Sequence, residues 1–231
     1  MIPLSDDNPT SSRPYVTLII LFSCLFIFLI QISLSDVNDR AFIYALGFIP
    51  AVTFGYANLP SELIWIPSSL TILSSMFLHG GFFHVASNML YLWIFADNIE
   101  DKIGHKNFFI FYLLCGIVAA MAQALPETTS RIPMIGASGA VSGILGAYLF
   151  LYPKAKILVV IPFFIFYTLR LPAFIVLGMW FFGQLFNSMQ TNEGEGGVAF
   201  RAHVGGFVAG LLLIRFFIKA RQKKNKEYYT K

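Results

Sequence analysis

The sequence predicts an all-α, polytopic membrane protein, a bundle of six transmembrane helices, and three observations carry that expectation. Of 231 residues, 57% are hydrophobic and only 12% charged, with a mean hydropathy of +0.70, whereas soluble domains carry about 25% charged residues. A water-soluble globule of this size cannot hide that much apolar surface. Six apolar stretches approach or reach the roughly 17–25 residues needed to cross hydrocarbon, where every backbone amide must be paired internally. These runs are apolar on both parities, which excludes a transmembrane β-barrel with its alternating strands of about 10 residues. Disorder and a disulfide scaffold are excluded by an aromatic content of 16% and two cysteines. Cys24 and Cys115 both lie inside apolar runs and read as reduced, buried thiols.

Taken in order, the spans run from Val16 to Ser33, Phe82 to Ile99, Asn107 to Leu125, Ile135 to Tyr152, Ala173 to Met189 and Ala202 to Ile218. No long polar stretch divides them, so residues 1–231 read as one membrane-embedded domain. Residues 1–15 read as an N-terminal tail; with Asp6, Asp7 and only Arg13, they make the first span an uncleaved helix rather than a signal peptide. Residues 34–81 form a long outer loop, aromatic enough to lie half-buried at the membrane surface. The run from Ile157 to Tyr167 is too short to cross and is broken by Pro162, so it is expected to lie in the interface or to extend the fifth helix. Gln190 to Arg201, rich in glycine and charge, reads as a wet loop beside the sixth helix and a candidate gate.

Basic residues set the orientation, because Lys and Arg in short loops stay preferentially on the cytoplasmic side. With both termini cytoplasmic, all 16 Lys and Arg except Arg40, Arg131 and Arg201 lie inside. The basic tail, 219–231, then reads as an anchor near anionic headgroups and not as a nucleic-acid site.

Polar residues in a membrane are costly, so those at shared depth are functional candidates. In this topology the second, fourth and sixth helices all begin at the outer face. His84 and Asn88 lie in the first two turns of the second, Ser138 in the first turn of the fourth, and His203 at the head of the sixth, each within ~10 Å of the outer interface. That set suits acyl transfer by an activated serine. A serine hydroxyl is a poor nucleophile until an imidazole takes its proton, and the tetrahedral oxyanion then needs donors held in place. Ser138 sits in Gly136-Ala137-Ser138-Gly139, whose glycines permit a tight turn and a close approach by substrate. The Ser138 backbone amide, at a helix start, is a natural donor. His84 and Asn88, spaced i, i+4, present an imidazole and a carboxamide on one face as the side-chain half of an oxyanion site. His203 is the base: Gly206 and Gly210 let its helix approach a neighbour closely, and Gly139, Gly143 and Gly146 on the fourth helix supply a matching surface. No Asp or Glu lies at this depth, so the site reads as a Ser/His dyad. Each piece alone has a bland reading, a packing seam or an interfacial histidine. His79 reads as structural, and Asp97, Asn98, Gln123 and Gln184 as interhelical or helix-end contacts.

Three ordered motifs, His79-Gly80-Gly81-Phe82-Phe83-His84-Val85-Ala86-Ser87-Asn88, Gly136-Ala137-Ser138-Gly139 and Ala202-His203-Val204-Gly205-Gly206-Phe207-Val208-Ala209-Gly210, together resemble the rhomboid family of intramembrane serine proteases. The resemblance implies a bacterial-type, six-helix rhomboid in a bacterial inner (cell) membrane, with its site opening toward the outer face. It would cleave single-span membrane proteins within or beside their transmembrane segment. It assigns Ser138 as nucleophile, His203 as base, and His84 and Asn88 as oxyanion stabilisers. Two departures stand out: Leu70-Thr71 where many members carry Trp-Arg, and Ser142 where some carry Tyr. The partners implied are transmembrane protein substrates and membrane lipids, with no nucleic acid, no cofactor and no metal. A catalytically silent relative that binds membrane clients is the alternative. A metal-handling channel is disfavoured, because no carboxylate or cysteine accompanies the imidazoles and the string His-Glu-x-x-His is absent.

Overall fold

The computed structural model describes residues 1–162, 166–190 and 198–229. Its helices are α1 (Tyr15–Ser33), α2 (Asp36–Leu46), α3 (Pro50–Thr53), α4 (Thr71–Ser74), α5 (Phe82–Ile103), α6 (His105–Ala124), α7 (Ser138–Leu151), α8 (Ala173–Gln190) and α9 (Phe200–Tyr229). The molecule is mostly helical. Among the described residues α1, α6 and α9 are long and apolar enough to cross a membrane alone, and α5 makes a fourth when joined to the bent segment 68–77 before it. The other two expected spans are α8 and the 14-residue α7. Most of the expected gate, 191–197 within the 190–201 loop, lies outside the described residues.

Small residues decide how the central helices pack. A Cβ on Gly206 of α9 would stand against the Gly139 carbonyl of α7, one on Gly210 against the Gly143 carbonyl, and one on Gly146 against the Phe207 carbonyl. The two helices therefore touch backbone to backbone, which glycine alone permits. Around this seam lie fully buried Phe95, Phe108, Phe111, Tyr112, Ile144 and Tyr148. Cys24 and Cys115 are free and buried.

The end of the bundle where α1 begins is tied by polar contacts. Glu100, fully buried near the end of α5, accepts hydrogen bonds from the Val16 and Thr17 amides at 2.9 and 2.8 Å and from the Thr17 hydroxyl at 2.7 Å. It also meets His105 Nδ1 at 2.5 Å. One carboxylate thus satisfies free amides at the start of α1, where negative charge is favoured. Ser11 donates to Asp101, and Asn8 to Asn98, on the same side.

The all-α expectation is corrected here. Ile2–Asp6 forms β1, and the run Ile157 to Tyr167, read as an interfacial segment or helix extension, falls on two antiparallel strands, β2 (Lys156–Pro162) and β3 (Phe166–Pro172), with 163–165 outside the described residues. The sheet has the order β1-β2-β3, both pairs antiparallel, with an irregularity between Pro3 and Ser5. Ile157 and Val159 are fully buried while Leu158 and Val160 are half-buried. That period of two marks a strand, and both faces being apolar hid it from a reading by composition.

Asp6 on β1 accepts a hydrogen bond from the Tyr148 hydroxyl of α7. Burial lifts its carboxyl from 3.8 to about 6, while that hydroxyl pulls the other way. A carboxyl whose folded value lies above its unfolded one binds extra protons in the docked state, so docking weakens as pH rises from about 4 to about 6 and levels off above. Amide protection of β1, corrected for intrinsic exchange, is therefore expected to be higher at pH 5 than at pH 7, and Asp6→Asn should remove the difference; equal protection in the wild type would contradict this. On the seam, Gly206→Val should lower stability by about 1–3 kcal/mol through forced separation of α7 and α9, read as an earlier unfolding transition in detergent. Wild-type stability in that variant would contradict the backbone contact.

Candidate active site

The site is built at the end of the bundle where α5, α7 and α9 begin. Its roof is the chain before α7, stitched to the long loop that precedes α5. Phe48 and Met134 exchange backbone hydrogen bonds at 3.0 and 2.8 Å, the Ala51 amide donates to the Ser130 carbonyl, and the Gly136 amide donates to the Ser75 carbonyl at 2.9 Å. The loop itself is held without a Trp-Arg pair. The Ser74 hydroxyl donates to the Leu46 carbonyl at 2.6 Å, and Gln31 of α1 clamps the backbone of His79 by accepting from its amide at 3.0 Å and donating to its carbonyl at 3.2 Å. His79 thus holds a structural place, its ring edge-on to His84 with centroids 5.2 Å apart.

Under this roof His84, Asn88, Ser138 and His203 all line one cavity of about 1110 Å³. Gly136 sets the distance between the first and third. Its φ of +121° lies in the region where glycine is at home. A Cβ there would stand 2.7 Å from His84 Nε2 and 3.8 Å from Ser138 Oγ, so the glycine leaves room for the imidazole beside the hydroxyl. Ser138 is the first residue of α7, and its amide has no acceptor within the helix. Asn88, 5% exposed, donates from Nδ2 to the His84 carbonyl one turn back at 2.9 Å. Among the described residues, the Ser138 hydroxyl forms no hydrogen bond, with His203 or any other group.

His203 is placed by two residues whose roles the residue pattern left general. Gln123 of α6 accepts from the Ala202 amide at 3.2 Å and so covers the opening turn of α9. Gln184 of α8 meets His203 Nδ1 through Oε1 at 2.7 Å. The imidazole is 9% exposed and lies 5.9 Å from the Trp180 ring, tilted by 35°. Ser142, one turn after Ser138 on α7, donates its hydroxyl to the Ser138 carbonyl at 2.6 Å. Both glutamines stood out as polar groups inside apolar helices; what singled them out as partners of the α9 head was only their spatial position.

The wall of the cavity also carries Ser87, Gln123, Glu127 and Ser130, polar groups that can hold water inside an otherwise apolar bundle. Among the described residues no group of three or more His, Cys, Asp or Glu side chains is arranged to hold a metal ion.

Comparison with known proteins identifies the family of the chain. The model of the Rhomboid domain matches residues 67–220. "Rhomboid protein 1, mitochondrial" of Saccharomyces cerevisiae is 29% identical over 209 residues, covering 82% of this chain and 57% of the yeast protein. "Presenilin-associated rhomboid-like protein, mitochondrial" of Homo sapiens is 33% identical over 113 residues, covering 48% of this chain and 29% of the human one. "RHOMBOID-like protein 12, mitochondrial" of Arabidopsis thaliana is 32% identical over 152 residues, covering 59% and 43%. The chain thus spans little more than half the length of the yeast relative and less of the others. These relatives overturn the placement in a bacterial inner membrane, because all three are mitochondrial by name. A bias of basic residues orients helices across a bilayer and carries no information on which bilayer it is. With the Rhomboid domain matched over 67–220, well over half of its length, and the motifs of α5, α7 and α9 converging on one cavity, the chain belongs to the rhomboid family.

Proposed function

We propose that this protein is an intramembrane serine endopeptidase that cleaves single-span membrane proteins within or next to their transmembrane segment. The observation that carries the reading is the shared cavity, which receives Ser138, His203, His84 and Asn88 from three helices separated in sequence. The helices proposed to cross the bilayer are α1, α5, α6, α7, α8 and α9. At 14 residues α7 is ~21 Å long, against a hydrocarbon core of about 30 Å. Its first residue, Ser138, would then lie below the membrane surface, at the floor of a water-holding notch. The mitochondrial relatives support a mitochondrial membrane as the location.

In this reading His203 Nε2 takes the proton of Ser138 Oγ as the oxygen attacks the scissile carbonyl carbon. The electron pair of the carbonyl moves to its oxygen, and the oxyanion is received by the Ser138 amide, the His84 imidazole and the Asn88 carboxamide, which turns from the His84 carbonyl. Collapse breaks the C–N bond while His203 returns the proton to the leaving amine, leaving an acyl group on Ser138. Water from the cavity, deprotonated by His203, then releases the acid and regenerates the serine. Substrates are expected to unwind locally at the cut and to present a small side chain there, because an extended backbone is needed to reach the serine beside Gly136. A second reading, a silent relative that binds membrane clients, is favoured by one observation: among the described residues Ser138 and His203 form no hydrogen bond, and His203 Nδ1 meets Gln184 instead.

The two readings separate in reconstituted vesicles holding a labelled single-span substrate. Wild type is expected to cleave it and to react with a fluorophosphonate probe, while Ser138→Ala and His203→Ala abolish cleavage and Ser138→Ala abolishes labelling. Cleavage surviving either substitution ends the dyad assignment, and an inert wild type favours the client-binding reading. Asn88→Ala should slow cleavage by about one to three orders of magnitude, the usual contribution of an oxyanion donor; an unchanged rate removes Asn88 from the site.

A further inference from the structure

A histidine base must keep the lone pair of one nitrogen free for the nucleophile. Which nitrogen holds the proton in neutral imidazole is decided by the partner of the other one. In His203 that partner is Gln184 Oε1, 2.7 Å from Nδ1. A carboxamide oxygen only accepts, so this contact is satisfied when Nδ1 carries the proton, and Nε2 is then left as the acceptor. We propose that Gln184 is a positioning residue for the base, an uncharged third member that fixes the tautomer and the ring plane of His203. The proposal rests on the serine-protease reading given above.

The surroundings of the ring explain why an amide fills this place. Trp180, one turn before Gln184 on α8, packs on both the His203 ring and the Phe207 ring, with centroids 5.9 and 6.0 Å away, and Phe200 stands edge-on at 6.3 Å. An amide orients the imidazole without placing a charge beside these rings, and because Gln184 is half-buried on the cavity wall, a carboxylate there would keep part of its water. Residues Trp180 and Gln184 are spaced i, i+4, so one face of α8 delivers both contacts. Ser142 of α7 is occupied by the Ser138 carbonyl and leaves the ring to α8. The buried residues of α8 are Ala173, Val176 and Leu177, all near its start. At the level of His203, α8 therefore meets α9 through the ring and amide contacts themselves.

The test combines kinetics with a readout that does not depend on turnover. In vesicles, Gln184→Leu, similar in size but without an acceptor, is expected to lower kcat by about 10- to 100-fold with little change in KM, while Gln184→Glu, which restores an acceptor, recovers kcat to within a few-fold of wild type. ¹⁵N spectra of histidine-labelled protein, with His203 assigned by comparison with His203→Ala, are expected to show the Nδ1–H tautomer in wild type and a mixture in Gln184→Leu. An Nε2–H tautomer in wild type, as the reversed amide orientation would impose, overturns the proposal. So does a Gln184→Leu protein with wild-type kcat, or a Gln184→Glu protein as slow as Gln184→Leu. If cleavage survives Ser138→Ala, the protease reading fails by itself, and the ¹⁵N spectra still decide whether Gln184 sets the state of His203.

Discussion

The rest of the structure depends on the contact between the backbones of α7 and α9. Gly139 and Gly143 on one helix meet Gly206 and Gly210 on the other, with Gly146 against Phe207, so that a single methyl group at several of these positions would fall on a carbonyl. In lipid there is little hydrophobic gain from bringing two apolar helices together; what holds them is the number of atoms in contact, and glycine maximises it. The same contact has a chemical consequence. Ser138 and His203 are the opening residues of these two helices or close to it, so the approach of the backbones brings both to the same level and to one cavity.

The two ends of the bundle are built differently. At the end where α1 starts, polar groups are satisfied by one another: Glu100 holds two amides, a hydroxyl and His105, and Asp6 receives Tyr148 beside a three-stranded sheet. At the other end a large cavity is lined by side chains whose hydrogen-bonding capacity is only partly used. The Ser138 hydroxyl has no partner among the described residues, and the Asn88 amide is turned back on its own helix. Buried polar groups with spare capacity are costly unless water or a ligand takes them up. A tightly satisfied end thus supports one whose polar groups have capacity left for water or a ligand.

The long apolar runs announced the main helices to within about four residues, because hydrocarbon tolerates few alternatives to an internally bonded helix, except that α9 continues past Ile218 through the expected tail to Tyr229. The hairpin formed by β2 and β3 was not legible: a run of Ile157, Leu158, Val159, Val160 and Ile161 is apolar at every position, so no alternation separates strand from helix until tertiary packing buries alternate residues unequally. The catalytic candidates were legible as polar residues at one depth. Gln184 and Gln123 were legible only as polar residues, since nothing in the chain states which neighbour a side chain on α8 or α6 will meet.

Composition and spacing by themselves therefore determined that this is a helical membrane protein, where its main helices run, and which serine, histidines and asparagine compete for chemistry. Those properties follow from local rules: segment length against bilayer thickness, the solvation cost of polar atoms and the pairing of backbone amides. Tertiary structure alone decided that β1 joins a hairpin from the middle of the chain, that Gly136 makes room for the His84 ring, and that the partner of His203 is an amide from α8. Each of these is a contact between segments far apart in sequence, and its geometry comes from how whole helices settle against one another.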